Sequence, residues 1–408
     1  MKFVVVCPHF APDIAPTGTV MTRIVDELAG RGHELHVITA LPWYREHAIE
    51  PGWGSKAWRI EKTPWGSVTR VHPFPGKSKS NLLRRAFGFV AFSVLVAWRG
   101  LFAGGFLSRL DGVIAMSPPL TLGLTGRLIT ACRGGRLVFN IQDVFPDAAI
   151  TTGAIRHPLI IGLASRLERW SYRASDVVVV LSDDLADNVR AKVPVSRRER
   201  VRVIPNFVDT QAITPTTRDT SYRAELGIGD EVVVMYAGNV GYSQSLDVVI
   251  DVARTMPELT FVINGDGSAR STLESAAKGL SNVRFAGYQP IERLSEVLAT
   301  GDIHLVPLRS GLARVSVPSK TYSIMAAARP VLAAIDPDTE IPRLVERAGA
   351  GVCVAPDDAD ALRDAIVRLV DSPELRESFG RNGREWVERH ASPRAVAVAY
   401  EGLFTADR

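Results

Sequence analysis

Cysteine is scarce in this sequence, and its scarcity excludes several classes of protein. Only Cys7, Cys132 and Cys353 occur among the 408 residues. They are far apart, odd in number and form no CxxC pair, which argues against a disulfide framework and against a structural zinc site. This usage fits a protein of the reducing cytoplasm.

The signature motifs of several enzyme classes are also missing. The eight histidines show no HExxH or other paired-ligand spacing, and no GxSxG elbow occurs. The lack of a GxGxxG fingerprint argues against a dinucleotide-dependent dehydrogenase. The GDG at 265–267 lacks a third glycine and is interpreted as a turn. The DPD at 336–338 has the form of a metal-binding DxD, but its proline favours a turn, so no metal site is predicted.

Neither sign of charge dominates this chain. The net charge of +4 and the pI near 9.0 are too weakly basic to predict nucleic-acid binding. The N-terminal run KFVVVC soon meets polar and proline residues, so it predicts a first strand and not a signal peptide.

What the sequence does contain is an alternation of short apolar strands with longer helices. The 408 residues are enough for two or three domains. Hydrophobic residues make up 46% of the chain and charged residues 23%, a composition that can form large cores. Near-continuous β-branched runs separated by helices predict parallel sheets covered on both faces. Predicted strands of the first half lie at 2–7, 34–39, 111–116, 136–141 and 176–182. After about residue 210 the alternation restarts, with predicted strands at 231–238, 259–265, 282–287, 302–308, 330–335 and 351–356.

This restart predicts two doubly wound α/β domains, with a join near residue 210. Ligands of open α/β sheets bind beyond the carboxyl ends of the strands. With two such domains, the expected site is the cleft between them.

Residues 81–110 interrupt the alternation with a strongly apolar segment. Its uncharged run, residues 86–98, has 13 residues, whereas a membrane-spanning helix needs roughly 20. One interpretation is a buried core helix. The preferred interpretation is a helix in the membrane interface, since residues 42–66 beside it form a predicted loop with four of the seven tryptophans. The arginines expected to meet anionic headgroups are Arg84, Arg85, Arg99 and Arg109.

Two loops that follow a first strand have the composition of phosphate-binding loops. Gly18 opens a helix after the first strand of the chain, so backbone amides there could bind an anion, although a plain turn glycine is an equal alternative. Gly238, Asn239 and Gly241 lie where the first strand of the second half turns into a helix. Backbone amides at such a turn can meet a diphosphate.

The strand at 136–141 ends in polar residues. Gln142 and Asp143 follow it directly, and at a strand's carboxyl end such side chains can contact a sugar or act as a base. Asp143 lies nearer the strand end than Asp147. The alternative is an aspartate that caps a helix or stabilises a turn.

The stretch VPSKTYSIMAAARPVLAA, residues 317–334, predicts a helix followed by a buried strand. Pro318 and Ser319 suit the first turn of a helix, where serine can cap free amides. Lys320 adds a cation where those amides could bind phosphate, and the small residues that follow allow a close neighbour. An ordinary packed helix remains the alternative.

These motifs, taken in order, resemble family 4 of the retaining, nucleotide-sugar-dependent glycosyltransferases. That family has two Rossmann-like domains facing each other across a cleft, the GT-B architecture. Matching pieces spread over nearly the whole chain and include RGHELHVIT, SDVVVVLS, VIPNFVD, YAGNVGYSQSLDVVIDVA, VINGDGSAR, GDIHLVPL and SKTYSIMAAARPVLA. QD with FPD, YAGNVGYSQ and VPSK resemble the branch that builds O-antigen, colanic acid and similar exopolysaccharides.

The resemblance implies a division of labour between the domains. Residues 1–205 would bind the acceptor and carry the membrane-associating segment 81–110. Residues 206–385 would bind the nucleotide sugar, and residues 386–408 would form a helix returning to the first domain.

The resemblance also implies a reaction and its partners. A sugar would pass with retention from a UDP- or similar NDP-sugar to a polyprenyl-linked or glycan acceptor. The enzyme would work as a peripheral protein on the cytoplasmic face of the plasma membrane, with no cofactor, metal or nucleic acid. Asp143 would face the sugar as the catalytic residue. The residues implied in donor binding are Gly18, Asn206, Gly238, Asn239, Gln244, Ser319, Lys320 and Ser323.

The sequence departs from the family at charged positions. Val315 and Ser323 stand where many members have two glutamates, although Ser323 could still hydrogen-bond a ribose hydroxyl, more weakly than a carboxylate. Asn239 and Gln244 replace the usual arginine and lysine at the diphosphate, which makes Lys320 the candidate cation. These losses leave open a non-catalytic sugar-nucleotide-binding scaffold. An NDP-sugar 2-epimerase of the same architecture is a further alternative, but it would need a site rich in acids and histidines.

Overall fold

The computed structural model describes residues 1–13, 15–44, 48–54, 57–74, 82–147, 150, 157–313 and 317–405, without the side chains of 82–86. The chain divides into two compact units. Unit 1 comprises residues 1–206 and 393 onward, and unit 2 comprises residues 207–392. Each unit is built on its own sheet of almost entirely parallel strands, which confirms the predicted fold class.

Unit 1 contains an eight-stranded sheet with helices on both faces. Its strands are β1 (Lys2–Val6), β2 (Glu34–Ala40), β3 (Trp58–Thr63), β4 (Gly66–Val71), β5 (Gly112–Ser117), β6 (Arg136–Ile141), β7 (Val177–Val180) and β8 (Val201–Val203). Its helices before the unit boundary are α1 (Pro16–Gly30), α2 (Leu82–Gly100), α3 (Thr121–Arg133), α4 (Pro158–Ala174) and α5 (Asp183–Lys192). A 3₁₀ helix spans Val195–Arg200.

The strand order of unit 1 is β3-β4-β2-β1-β5-β6-β7-β8. Only β3 runs antiparallel to its neighbour. The order reverses between β1 and β5, so the carboxyl ends of these two strands flank the point where open α/β sheets bind ligands.

Strand β3 corrects the loop predicted for residues 42–66. It pairs with β4 from Trp58 opposite Val71 to Thr63 opposite Gly66. Its residues alternate between exposed and half-buried. An edge strand of this kind carries no continuous apolar run, which is the signal that predicts buried strands.

Unit 2 contains a six-stranded, fully parallel sheet. Its strands are β9 (Val233–Ala237), β10 (Thr260–Asn264), β11 (Val283–Ala286), β12 (Ile303–Pro307), β13 (Val331–Ala334) and β14 (Gly351–Val354). Its helices are α6 (Ser221–Glu225), α7 (Leu246–Thr255), α8 (Arg270–Ala276), α9 (Leu294–Thr300), α10 (Lys320–Ala326), α11 (Glu340–Ala348), α12 (Ala359–Val370) and α13 (Pro373–His390).

The strand order of unit 2 is β11-β10-β9-β12-β13-β14. Numbered within the unit this is 3-2-1-4-5-6, the Rossmann order, with its switch point between β9 and β12. The ligand site expected from topology therefore lies where the loops after β9 and β12 begin.

The last helix, α14 (Pro393–Thr405), packs on unit 1. Glu401 forms an ion pair with Arg31, and its other carboxylate oxygen lies 3.1 Å from Nε2 of His33. The rings of Phe404 and Phe3 are 4.7 Å apart. The predicted start of this segment, residue 386, falls inside α13, and the chain enters unit 1 only at residue 393.

Helix α2 has one buried face and one exposed apolar face. Phe92 and Val96 lie in the core of unit 1, as the core-helix interpretation requires. On the other side Phe87, Val90 and Val94 are 69%, 52% and 61% exposed. Among the described residues, no helix combines the length and apolar character that a membrane span requires.

Candidate active site

The side chain of Lys320 lies at the switch point of unit 2. Lys320 opens α10, and its Nζ donates a hydrogen bond of 2.9 Å to the hydroxyl of Tyr236 on β9. The same ammonium lies 4.2 Å from the centroid of the Tyr236 ring. Burial, unrelieved by any carboxylate among the described residues, lowers the pKa of Lys320 to about 8. A cation held in this way would be stabilised by a bound anion.

Tyr236 fixes this lysine to the loop after β9. The tyrosine is fully buried, and its hydroxyl donates to the backbone carbonyl of Asn239 while accepting from Lys320. Gly238 makes room for the lysine, because a Cβ at that position would lie 3.0 Å from Cε of Lys320. Its φ of 148° is also in the region that favours glycine.

Three amides of the loop after β9 donate to acceptors within the protein. The N–H of Gly238 donates to the carbonyl of Asn264, and that of Val240 donates to Asp266, both at 2.9 Å. Gly241 donates to Oε1 of Gln244 at 3.0 Å. Gly238 therefore serves the conformation of the loop. Oε1 of Gln244 is occupied by the bond to Gly241. The side chain of Asn239 is exposed.

The GDG at 265–267 is a turn that supports this loop, as interpreted from the sequence. A Cβ at Gly265 would lie 1.8 Å from the carbonyl oxygen of Gly238, and one at Gly267 would lie 2.3 Å from that of Val240. Both glycines have positive φ, 146° and 159°. They permit a backbone approach that no other residue allows.

The start of α10 differs from the predicted serine cap. Ser319 occupies the N-cap position, but its side chain accepts no capping hydrogen bond. The amides of Thr321 and Tyr322 donate to the carbonyls of Pro318 and Ser319. Because the helix has only seven residues, the ammonium of Lys320 is a stronger source of positive potential than the helix end.

The other residues implied in donor binding are not drawn together by any observed contact. Ser323 is half-buried one turn beyond Lys320, and Asn206 is half-buried at the end of unit 1. Val315 lies outside the described residues.

In unit 1, the structure separates the two aspartates that follow β6. Asp143 is exposed, whereas the buried Gln142 donates at 2.6 Å to the side-chain oxygen of Asn140. Asp147 accepts hydrogen bonds from Lys192 at 2.7 Å and Asn188 at 2.8 Å. Burial raises the pKa of Asp147, but these two donors outweigh it and the net pKa is lowered. Asp147 is thus a structural anion, and Asp143 remains the candidate that can meet a substrate.

Gly18 lies inside α1, two residues after its start at Pro16. A Cβ there would lie 2.9 Å from Cβ of His9. The glycine allows the helix to pack against the loop that follows β1.

That loop contains a polar pair that the sequence interpretation missed. Nδ1 of His9 lies 2.6 Å from the carboxylate of Asp13, which is buried and also accepts the amide of Tyr44. The imidazole stacks on the ring of Trp43 at 5.6 Å. A histidine oriented by a carboxylate is a common arrangement for proton transfer, and here it stands at the switch point of unit 1. The signal in the sequence is the His-x₃-Asp spacing in PHFAPD.

A buried arginine holds this loop in place. Arg70 on β4 donates to the backbone carbonyls of Phe10 and Ala11 and forms an ion pair of 3.0 Å with Glu61. The position of His9 is therefore set by β4 as well as by β1.

The described residues offer no group of three or more His, Cys, Asp or Glu side chains that could hold a metal ion. The DPD at 336–338 serves the backbone instead. Asp336 accepts the amide of Gly311 at 2.9 Å, and Asp338 has a φ of 58°.

Comparison with known proteins identifies the family. Residues 17–212 match the model of Glycosyltransferase Family 4, and residues 231–372 match the model of Glycosyl transferases group 1. The chain belongs to the family 4 glycosyltransferases. This glycosyltransferase is similar along its length to WcaI of Escherichia coli (strain K12), whose name assigns it to colanic acid biosynthesis as a glycosyl transferase. The two are 29% identical over 406 residues, which cover 95% of this chain and 96% of WcaI.

Solved structures show the same fold. Sucrose-phosphate synthase from Thermosynechococcus elongatus matches with a TM-score of 0.69 at 18% identity, and 100% of each chain is covered. HepE of Anabaena, solved in complex with UDP, matches with a TM-score of 0.67 at 15% identity, again over 100% of each chain. At such identities the glycosyltransferase shares their fold, and nothing about its substrates follows.

Proposed function

We propose that this glycosyltransferase moves a sugar from an NDP-sugar, preferably a UDP-sugar, to a lipid-linked or glycan acceptor, with retention of configuration. The product would be a cell-surface polysaccharide. Full-length similarity to WcaI, a protein named for colanic acid biosynthesis, supports that class of product. The observation that carries the proposal is the half-buried ammonium of Lys320 at the switch point of unit 2.

Lys320 would act on the diphosphate of the donor. Negative charge builds up on the departing diphosphate as the glycosidic bond breaks, so a fixed cation there stabilises the transition state more than the ground state. Tyr236 keeps the ammonium in place, and no resident metal ion or cofactor is needed for this step.

Unit 1 would position the acceptor. Asp143 is exposed beyond β6, and the His9–Asp13 pair stands beyond β1. In a reaction with retention on one face of the sugar, the departing diphosphate accepts the proton of the acceptor hydroxyl. The residues of unit 1 then contribute mainly by orienting that hydroxyl.

The exposed apolar face of α2 supports peripheral association with the cytoplasmic face of the plasma membrane. Withdrawing a polyprenyl chain from the bilayer would cost about 0.8 kcal/mol per methylene, so an enzyme for such an acceptor must work at the surface. Arg109 is exposed, while Arg99 is half-buried and stacks over Trp58 at 5.7 Å and Trp98 at 5.3 Å. Arg84 and Arg85 belong to the first turn of α2, and their side chains lie outside the description.

A non-catalytic sugar-nucleotide-binding scaffold is the second candidate. The observation that favours it is the uncharged loop after β9, whose Gly238, Val240 and Gly241 amides bond within the protein. Such a protein would bind a nucleotide sugar without cleaving it.

One experiment separates the two candidates. The purified protein is incubated with a panel of nucleotide sugars, and nucleoside diphosphate release is followed together with thermal shifts. Slow release from one donor supports the transferase, and the anomeric configuration of a transferred sugar, read by NMR, tests retention. A thermal shift with a nucleotide sugar but no release from any of them would favour the scaffold.

A further inference from the structure

Helix α4 presents a stripe in which large apolar side chains and arginines alternate. Leu159, Leu163 and Trp170 are 73%, 71% and 63% exposed. Arg166 and Arg173 occupy the remaining positions of the same helical face, because spacings of three and four residues recur on one side of a helix. Over this stripe the helix is about 21 Å long at ~1.5 Å per residue.

The opposite face of α4 already accounts for its packing in unit 1. The buried Ser171 donates to the carbonyl of Leu120 at 3.0 Å. The buried Tyr172 donates to Glu168 one turn earlier in the same helix, and its ring lies 6.4 Å from that of Phe139 on β6. Lys192 lies 2.6 Å from the same Glu168. Since these contacts hold α4 in place, the exposed leucines and tryptophan are not needed for its packing against unit 1.

The surroundings of the stripe are strongly cationic. Arg169 lies beside it and, with Arg166, Trp170 and Arg173, lines a shallow pocket. The 3₁₀ helix Val195–Arg200 adds Arg197, whose guanidinium donates to the backbone carbonyl of Arg173. Within the described part of the chain, no acidic side chain forms an ion pair with the three arginines of α4. Val195, at the start of the 3₁₀ helix, is 75% exposed.

This surface adjoins the exposed face of α2. Helix α3 contacts both α2 and α4, and its Leu128 is 49% exposed. Apolar side chains therefore continue across three neighbouring helices, with arginines concentrated on α4.

We propose that α4 and the 3₁₀ helix Val195–Arg200 bind an anionic phospholipid bilayer and form, with α2, one membrane-contacting face. Leucine and tryptophan side chains enter the headgroup boundary while arginine stems lie along it and place their charges on phosphates. A soluble polyanion would bind the arginines but would leave the exposed leucines in water. This inference rests on the proposed peripheral association. It adds a second cationic surface, which lies outside residues 81–110.

The test compares charge-matched variants on vesicles. R166Q/R169Q/R173Q should bind phosphatidylglycerol-containing vesicles roughly 100-fold more weakly than the wild type, at about fivefold per arginine. R368Q/R381Q/R389Q removes the same charge from exposed positions on α12 and α13 of unit 2 and should bind like the wild type. Release of nucleoside diphosphate from donor in solution should be unchanged in both variants.

A second variant tests the apolar half of the stripe. L163S/W170S should also lose at least tenfold in vesicle affinity, with V367S, an exposed position on α12, as its control. The inference is overturned if the wild type binds vesicles and the arginine variant binds equally well, since α2 alone would then carry the association. It is also overturned if L163S/W170S binds normally while soluble heparin displaces the wild type, the behaviour of a polyanion site. A wild type that ignores anionic vesicles rejects both this inference and the proposed association, whereas donor cleavage tests the transferase independently.

Discussion

Lys320 has its low pKa because of where the fold places it. Tyr236 is 84 positions away in the chain, and the two meet only because β9 and β12 are neighbours in the sheet. The protein thus holds a partly desolvated cation beside an aromatic ring, with no carboxylate partner in the part of the chain that the structure describes. This arrangement is less favourable than a solvated lysine, and we infer that it is retained for an anionic ligand.

Removing this cation should weaken nucleotide binding. Lys320→Ala should cost roughly 1.5–3 kcal/mol of UDP binding free energy, the value of a charge-assisted contact. Lys278→Ala, at an exposed site of unit 2, is the matched control. Titration calorimetry measures both, and equal affinities in the two variants would reject the role of Lys320.

The pH dependence of binding follows from the same residue. With a pKa of about 8 in the free protein, Lys320 is charged at pH 7 and largely neutral at pH 9.5. A bound diphosphate raises the pKa of Lys320, so UDP affinity should fall with pH above 8, approaching tenfold per unit while the complex retains the proton. Calorimetry between pH 7 and 9.5 checks this, and Lys320→Ala should lack the decline. Parallel pH curves for the two proteins would contradict the assignment.

The two aspartates beyond β6 should behave differently on substitution. Asp143→Asn should reduce turnover at least tenfold, about 1.4 kcal/mol in the activation barrier, while UDP affinity stays constant because the proposed nucleotide site lies in unit 2. Asp147→Asn should mainly lower the melting temperature, because Lys192 and Asn188 lose a charged acceptor. Steady-state kinetics and thermal melts of both variants distinguish them. Full transfer activity in Asp143→Asn would make Asp143 an ordinary turn residue.

At the scale of elements, the loops after β9 and β10 are built as one unit. Gly265→Ala would place a methyl group against the backbone of Gly238 at a φ of 146°, so the loops must separate. We expect a loss of at least ~3 kcal/mol in the free energy of unfolding, from strain and overpacking together. Gly287→Ala, with no atom within 4 Å of the added Cβ, should be near neutral. Urea denaturation measures both, and equal midpoints would show that the two loops are not packed as described.

The sequence predicts this fold well wherever a strand is buried on both faces. The run RLVFNI at 136–141 coincides with β6, and the predicted strand at 330–335 contains β13, all of whose residues are buried. Each of these strands carries its own signal, a continuous apolar run bounded by turns. The half-exposed edge strand β3 lacks that signal, so the sequence pattern does not predict it.

The site is harder to predict because its contacts join distant elements. Lys320 could be identified from its position at a helix start, but its tyrosine partner depends on the strand order. Amides of the turn at Gly238, Asn239 and Gly241 are predicted to meet a diphosphate. The amide of Gly238 instead donates to the carbonyl of Asn264, and that of Gly241 donates to the side chain of Gln244. His9 and Asp13 are close in sequence, but the sequence does not show that they lie at the switch point of unit 1. That position follows from the strand order, in which β1 flanks the switch point.

At the scale of the whole molecule, the two units carry different chemistry. Unit 2 holds the candidate donor cation, whereas unit 1 holds exposed apolar and arginine-rich helices. The net charge of the whole chain is only +4. It does not indicate this distribution, because positive charge on one surface of unit 1 is offset by negative charge elsewhere in the chain. An enzyme that takes a soluble donor and an acceptor confined to a bilayer would need both features, a cationic site for the donor and a surface that binds the membrane.

The last prediction concerns membrane association and its effect on activity. The wild-type protein should sediment with anionic vesicles at low salt and be partly released at high salt, because screening weakens arginine–headgroup attraction. R84E/R85E, at the start of α2, should weaken vesicle binding by roughly 1 kcal/mol per lost charge, and more through repulsion. Transfer to a polyprenyl-linked acceptor in vesicles should fall in parallel, while donor hydrolysis in solution stays near the wild-type rate. Wild-type protein that remains in the supernatant at low salt would leave α2 as a core helix and point to a soluble acceptor.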